Sequence, residues 1–104
     1  MRCSKLTNIL LVCSAGMSTS LMVKKMEAEA EAQGKEVTIW AVPDAQAKDN
    51  IGKADVMLLG PQIRFMQSKM EGIADGKPVA VIDMRSYAMM DGKAVLQQAF
   101  DLLD

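Results

Sequence analysis

Four short apolar runs recur along the chain, Asn8–Cys13, Val37–Val42, Val56–Leu59 and Val79–Ile82. Their length, β-branched content and near-continuous apolarity predict strands covered on both faces of a sheet. Longer stretches separate them. Ser18–Gln33 carries Leu21, Met22, Met26, Ala28, Ala30 and Ala32 as a broad apolar helical face, and Gly34 is placed to end it. Pro61–Glu71 sets Ile63, Met66 and Met70 at helical spacing, with Gly72 following as the expected stop. Asp91 caps a last helix whose apolar positions are Val95, Leu96, Ala99, Phe100, Leu102 and Leu103. Asp44–Lys53 reads as a short helix started by Asp44 after Pro43. Strand and helix in alternation predict an α/β domain with a parallel sheet and right-handed crossovers. The 104 residues suffice for one hydrophobic core, and no linker, repeat or low-complexity segment divides them, so 1–104 is expected to form a single domain.

Composition removes several classes of function. The chain has no histidine, so no imidazole base, His metal ligand or phosphohistidine can arise within it. A formal charge of −1, with arginine confined to Arg2, Arg64 and Arg85, lacks the basic excess of a nucleic-acid binder. Two cysteines are too few for a disulfide framework or a Cys-rich zinc site, and neither a metal nor a cofactor is expected. A strand from Leu6 to Val12 would hold Cys3 and Cys13 apart by roughly 3.3 Å per residue, too far for a bridge that needs Cα atoms within about 7 Å. Thiols of this kind suit a reducing cytoplasm. Ile9–Val12 is shorter than the roughly 7–15 apolar residues of a signal peptide, and no run approaches the roughly 18 of a membrane span. A soluble chain with Ile9–Val12 in its core is expected, and Met1 together with a helix ending near Asp104 favours a free-standing one.

In open parallel sheets, ligands bind outside the carboxyl ends of the strands. That rule selects Cys13–Ser20, Pro43–Asp44, Gly60–Gln62 and Asp83–Ser86. The first is the richest chemically. Ser14, Ala15, Gly16, Met17, Ser18, Thr19 and Ser20 join the first strand to the first helix, and their small size lets the backbone curl with several N–H groups turned inward. Such a loop, entering a helix N-terminus, makes an anion cradle from backbone donors and the helix dipole. The hydroxyls of Ser14, Ser18, Thr19 and Ser20 add further donors, and the positive potential favours a thiolate at Cys13. The alternative is that Cys13 is a small buried hydrophobe ending a strand. Its place before a small-residue loop and a helix favours the nucleophile. Cys3 lies towards the opposite edge and is taken as incidental.

Three cysteine chemistries compete. A thioredoxin-like site needs Cys-x-x-Cys, and position 16 is Gly. A low-molecular-weight phosphatase uses Cys-x5-Arg, the Arg gripping the phosphoryl oxygens, and the residue six after Cys13 is Thr19. No Asp-Pro pair supplies such a phosphatase's general acid. A phosphocarrier remains, a cysteine that accepts a phosphoryl group with no evident means of driving its hydrolysis.

The motif Cys13-Ser-Ala-Gly-Met-Ser-Thr-Ser20 resembles the phosphorylation loop of the lactose/cellobiose-type (including diacetylchitobiose-type) IIB components of the bacterial phosphoenolpyruvate-dependent sugar phosphotransferase system. The resemblance continues through Ala54–Ile63, Val81–Asp83, Tyr87 and Asp91–Gly92, nearly the whole chain. It implies a single open four-stranded parallel sheet of order 2-1-3-4 with helices on both faces, similar to low-molecular-weight phosphotyrosine phosphatase-like folds. It also implies that Cys13 takes phosphate from a phosphohistidine of the IIA protein and passes it to a β-linked disaccharide-type sugar at the membrane-embedded IIC component. The imidazole then comes in trans, and the chain itself stays cytoplasmic, on the inner face of the membrane through IIC. Cys13 would be the nucleophile, residues 14–20 the phosphate cradle, and Gly60, Pro61 and Gln62 a neighbouring wall. The wall has a plain alternative, a turn that starts a helix with Pro near its first position.

Weaker signals surround this site. Lys24 and Lys25 precede Glu27, Glu29 and Glu31 in the first helix, the reverse of what the helix dipole favours. They either add positive potential near the phosphate or meet an acidic partner, or else lie on a solvated face paired with those glutamates, and the last reading is favoured. Met17 is a candidate partner contact, whereas Met22, Met26, Met66 and Met70 read as core. Arg64 and Arg85 follow the third and fourth strands and carry no assigned role. Which sugar is transported is not written in the chain, because that choice would rest mainly with IIC.

Overall fold

The computed structural model describes residues 7–13 and 17–103, with the side chains of residues 17–19 left aside. Four strands, β1 (Thr7–Cys13), β2 (Val37–Pro43), β3 (Val56–Leu59) and β4 (Val79–Val81), form one parallel sheet in the order β2-β1-β3-β4. Five helices join and flank them, α1 (Met17–Ala32), α2 (Ala47–Asn50), α3 (Gln67–Ala74), α4 (Met84–Ala88) and α5 (Gly92–Leu103). The expected fold class is the observed one.

The strands alternate strictly between two cores. Ile9 and Leu11 of β1 and Val56 and Leu58 of β3 face Met22, Met26 and Ala30 of α1 and Val95, Leu96 and Ala99 of α5. Leu10, Val12, Met57 and Leu59 face the other way, onto Ala47 of α2, Ile51, Ile63, and Met70 and Ala74 of α3. The two central strands are therefore apolar at every core position, as a doubly covered sheet demands.

Helix boundaries follow local chemistry. α1 ends at Ala32, and the expected stop Gly34 follows in a turn with φ +72°, Lys35 N–H donating to Ala30 O at 2.9 Å. Its buried stripe is narrower than the expected face, because Leu21, Ala28 and Ala32 point to solvent. Asp91 caps α5 by accepting from Ala94 N–H at 3.1 Å. The stretch 44–53 is three short pieces, 3-10 turns at Asp44–Gln46 and Ile51–Lys53 around α2.

Pro61–Glu71 is not one helix. Pro61–Met66 is a 3-10 segment broken at Ile63 (φ −117°, ψ 29°), and α3 starts only at Gln67. The break turns Ile63 into the second core, where it is 3% exposed. Nor does Gly72 end α3. Ala74, two residues further along, is still buried, and the helix stops where Asp75 takes a left-handed φ of 51°. The fourth strand is one residue shorter than expected, although Ile82 N–H still reaches Leu59 O at 2.8 Å.

Candidate functional site

Cys13 is the last residue of β1 and is 3% exposed. On one side it registers with Pro43 of β2. On the other, the residue after β3, Gly60, donates its N–H to Val12 O at 2.8 Å. Chain order β1-β2 runs to one side of Cys13 and β3-β4 to the other, so the cysteine stands at the topological switch point, where such sheets hold ligands. Pro43–Asp44, Gly60–Gln62 and Asp83–Ser86 leave the same edge of the sheet.

Helix α1 begins at Met17, four positions after the cysteine, and has no acidic residue in its first turn to oppose an anion. Ser14, Ala15 and Gly16, the centre of the expected cradle, lie outside the described residues, as do the side chains of Met17, Ser18 and Thr19 and the whole of Cys3. Ser20 is exposed on α1.

Of Gly60, Pro61 and Gln62, the first and last come near Cys13. A methyl group built on Gly60 would lie 3.4 Å from Cys13 Cβ and 2.6 Å from Gln62 Oε1, which puts that oxygen within about 6 Å of Cys13 Cβ. Gly60 and Pro61 are buried and Gln62 is exposed. The Gln62 amide Nε2 donates to the Tyr87 hydroxyl of α4 at 3.3 Å. Pro61, Gln62, Arg64, Met84, Tyr87 and Ala88 line an open depression of about 290 Å³ beside this pair.

Arg64 is exposed, its guanidinium donating to Pro61 O at 3.3 Å, and Arg85 is exposed on α4. Lys24 and Lys25 are exposed on α1. Met22, Met26 and Met70 are fully buried, and Met66 packs partly against the second core. Among the described residues no group of His, Cys, Asp and Glu could hold a metal, and no helix is long and apolar enough to cross a membrane.

Sequence reasoning missed two features of this edge. The helix α4 is too short for a hydrophobic period, and its one local signal is Asp83, whose carboxylate accepts from Ser86 N–H at 3.0 Å. The contact between Gln62 and Tyr87 spans 25 positions and leaves no local pattern at all.

The family model described as "PTS system, Lactose/Cellobiose specific IIB subunit" matches residues 8–98. The chain belongs to this family of IIB components. It is 48% identical over 97 residues to the oligo-beta-mannoside-specific EIIB component of Bacillus subtilis, covering 91% of this chain and 94% of that protein. It is 42% identical over 103 residues to the cellobiose-specific EIIB component of Lactococcus lactis subsp. lactis, covering 92% and 95%. The solution structure of the cellobiose-specific IIB component from Borrelia burgdorferi superposes with a TM-score of 0.79 at 38% identity, over 94% of this chain and 92% of that one. The lactose-specific IIB domain from Streptococcus pneumoniae shares the fold, with a TM-score of 0.85 at 19% identity over 96% and 100% of the two chains. As a IIB component the chain is a protein-phosphohistidine–sugar phosphotransferase subunit, and its family implies IIA and IIC partners.

Proposed function

We propose that this IIB component carries its phosphoryl group on Cys13 as a single cytoplasmic domain spanning 1–104. The Cys13 thiolate attacks the phosphorus of a phosphohistidine on IIA. The S–P bond forms as the P–N bond breaks, and the imidazole leaves and takes up a proton. A hydroxyl of a β-linked disaccharide-type sugar held by IIC then attacks the same phosphorus, the S–P bond breaks, and the hydroxyl proton passes to solvent or base. The relatives named for oligo-beta-mannoside and cellobiose support that sugar class.

The position of Cys13 carries this reading. It ends the central strand β1, beside Gly60 and shortly before the N-terminus of α1. Phosphoryl transfer asks the protein chiefly for in-line positioning and charge stabilisation, which fixed backbone donors at a helix start supply. Residues 14–20 are the proposed cradle and Gly60, Pro61 and Gln62 the wall.

Intact-protein mass after incubation with phosphorylated IIA tests the assignment. One added phosphoryl group is expected on the wild type and on Cys3→Ala, and none on Cys13→Ala. A wild type that gains no mass from a IIA competent towards another IIB overturns it.

A further inference from the structure

Tyr87 belongs to two parts of the molecule at once. Its ring packs against the first core, the one built by α1 and α5. Its hydroxyl accepts from Gln62 Nε2, and Gln62 precedes Ile63, which is buried in the second core. This hydrogen bond therefore ties the two faces of the sheet together past the ends of β3 and β4. Local structure fixes both partners. Asp83 caps α4, accepting from the N–H and the hydroxyl of Ser86 at 3.0 and 3.1 Å, and so orients the turn that holds Tyr87. On the other side, Ile63 N–H donates to Gly60 O at 3.0 Å and folds Gln62 back towards Gly60.

We propose that Tyr87 is a positioning residue for phosphoryl transfer, holding the Gln62 carboxamide against Gly60 as the wall of the Cys13 site. The proposal rests on the reading of Cys13 as the phosphoryl carrier. Left alone, the exposed Gln62 side chain would sample several rotamers, and the clamp removes that freedom at the edge where the reacting group must sit. The wall is neutral, which matters beside a dianionic phosphoryl group. A carboxylate at the same place would repel it.

Single-turnover transfer from phosphorylated IIA, run at several IIA concentrations, tests this. Tyr87→Phe keeps the ring in the core and deletes only the hydroxyl. It is expected to slow the maximal transfer rate about tenfold while leaving the half-saturating IIA concentration within about twofold. Gln62→Ala should show the same split, and the double variant should lose less than the product of the two single losses, because the two changes share the Gln62–Tyr87 hydrogen bond. Gln62→Glu, close to isosteric, should lose about tenfold beyond Gln62→Ala through charge. Wild-type rates in Tyr87→Phe, losses that multiply in the double variant, or a change confined to half-saturation would each overturn the clamp while leaving Cys13 as carrier. A wild type that takes no phosphate on Cys13 in the same assay overturns both.

Discussion

The two faces of the sheet are built differently. One is covered by α1 and α5, continuous helices of 16 and 12 residues that pack on each other as well as on the strands. The other is covered by α2 and α3, of 4 and 8 residues, interrupted by 3-10 turns and the break at Ile63. Both bury comparable apolar sets, so burial alone does not demand long helices. The regular face packs α1, the helix that follows Cys13, against both α5 and the strands. The irregular face has given up helical regularity for local shape, and its break brings Gln62 back over Gly60.

Glycines test that contrast, because each sits in a different kind of space. The largest effect is expected at Gly92, where α5 crosses α1. A Cβ there would lie 2.6–2.7 Å from the backbone carbon and oxygen and the Cβ of Lys25, none of which is a movable side-chain end. Gly92→Ala must push the two helices apart and should cost about 2–3 kcal/mol, lowering Tm by roughly 10–20 °C. A denaturant or thermal melt with no such loss would mean that the regular face is not closely packed at this crossing.

Gly60 should respond in the opposite sense. The atom that an alanine methyl would meet at 2.6 Å is Gln62 Oε1, the far end of an exposed side chain that can shift at the cost of its hydrogen bond to Tyr87, while Cys13 Cβ at 3.4 Å is an ordinary contact. Gly60→Ala should therefore leave stability within about 0.5 kcal/mol of wild type. By displacing the Gln62 amide it should slow transfer from phosphorylated IIA by about tenfold, roughly 1.4 kcal/mol in barrier. A melt shifted as far as that of Gly92→Ala would erase the distinction between the two faces.

How much of this was legible depended on the range of the interaction that decides it. The strands announce themselves because residues such as Ile9–Val12 and Val56–Leu59 must be apolar on both sides. Gly34 and Asp91 announce helix ends because their signals are local. Cys13 stood out for the same reason, a cysteine between an apolar run and small residues before a helix. The spacing of Ile63, Met66 and Met70, by contrast, fits an unbroken helix as well as a 3-10 segment followed by one, and only the second core decides between them. Gly92 stood out only as the neighbour of Asp91 in the family resemblance, since the approach of Lys25 comes from a helix some 70 positions away in sequence. Tyr87 and Gln62 meet only once the sheet has brought β3 and β4 side by side.

Gly72 offers the smallest effect and the finest test of the irregular face. Its position in the sequence suggests a helix stop, yet α3 runs through it to Ala74, and a Cβ there would meet nothing within 4 Å. Nothing in its surroundings requires a glycine. Because glycine inside a helix sacrifices more backbone entropy than alanine, Gly72→Ala should stabilise the protein by about 0.5–1 kcal/mol and raise Tm by several degrees. The stop lies instead at Asp75, whose left-handed φ of 51° an alanine would tolerate poorly. A destabilised Gly72→Ala would put the end of α3 back at the glycine. A stabilised one would mean that the short helices of this face end where the second core ends, at Ala74, with local propensity outweighed by one buried methyl group.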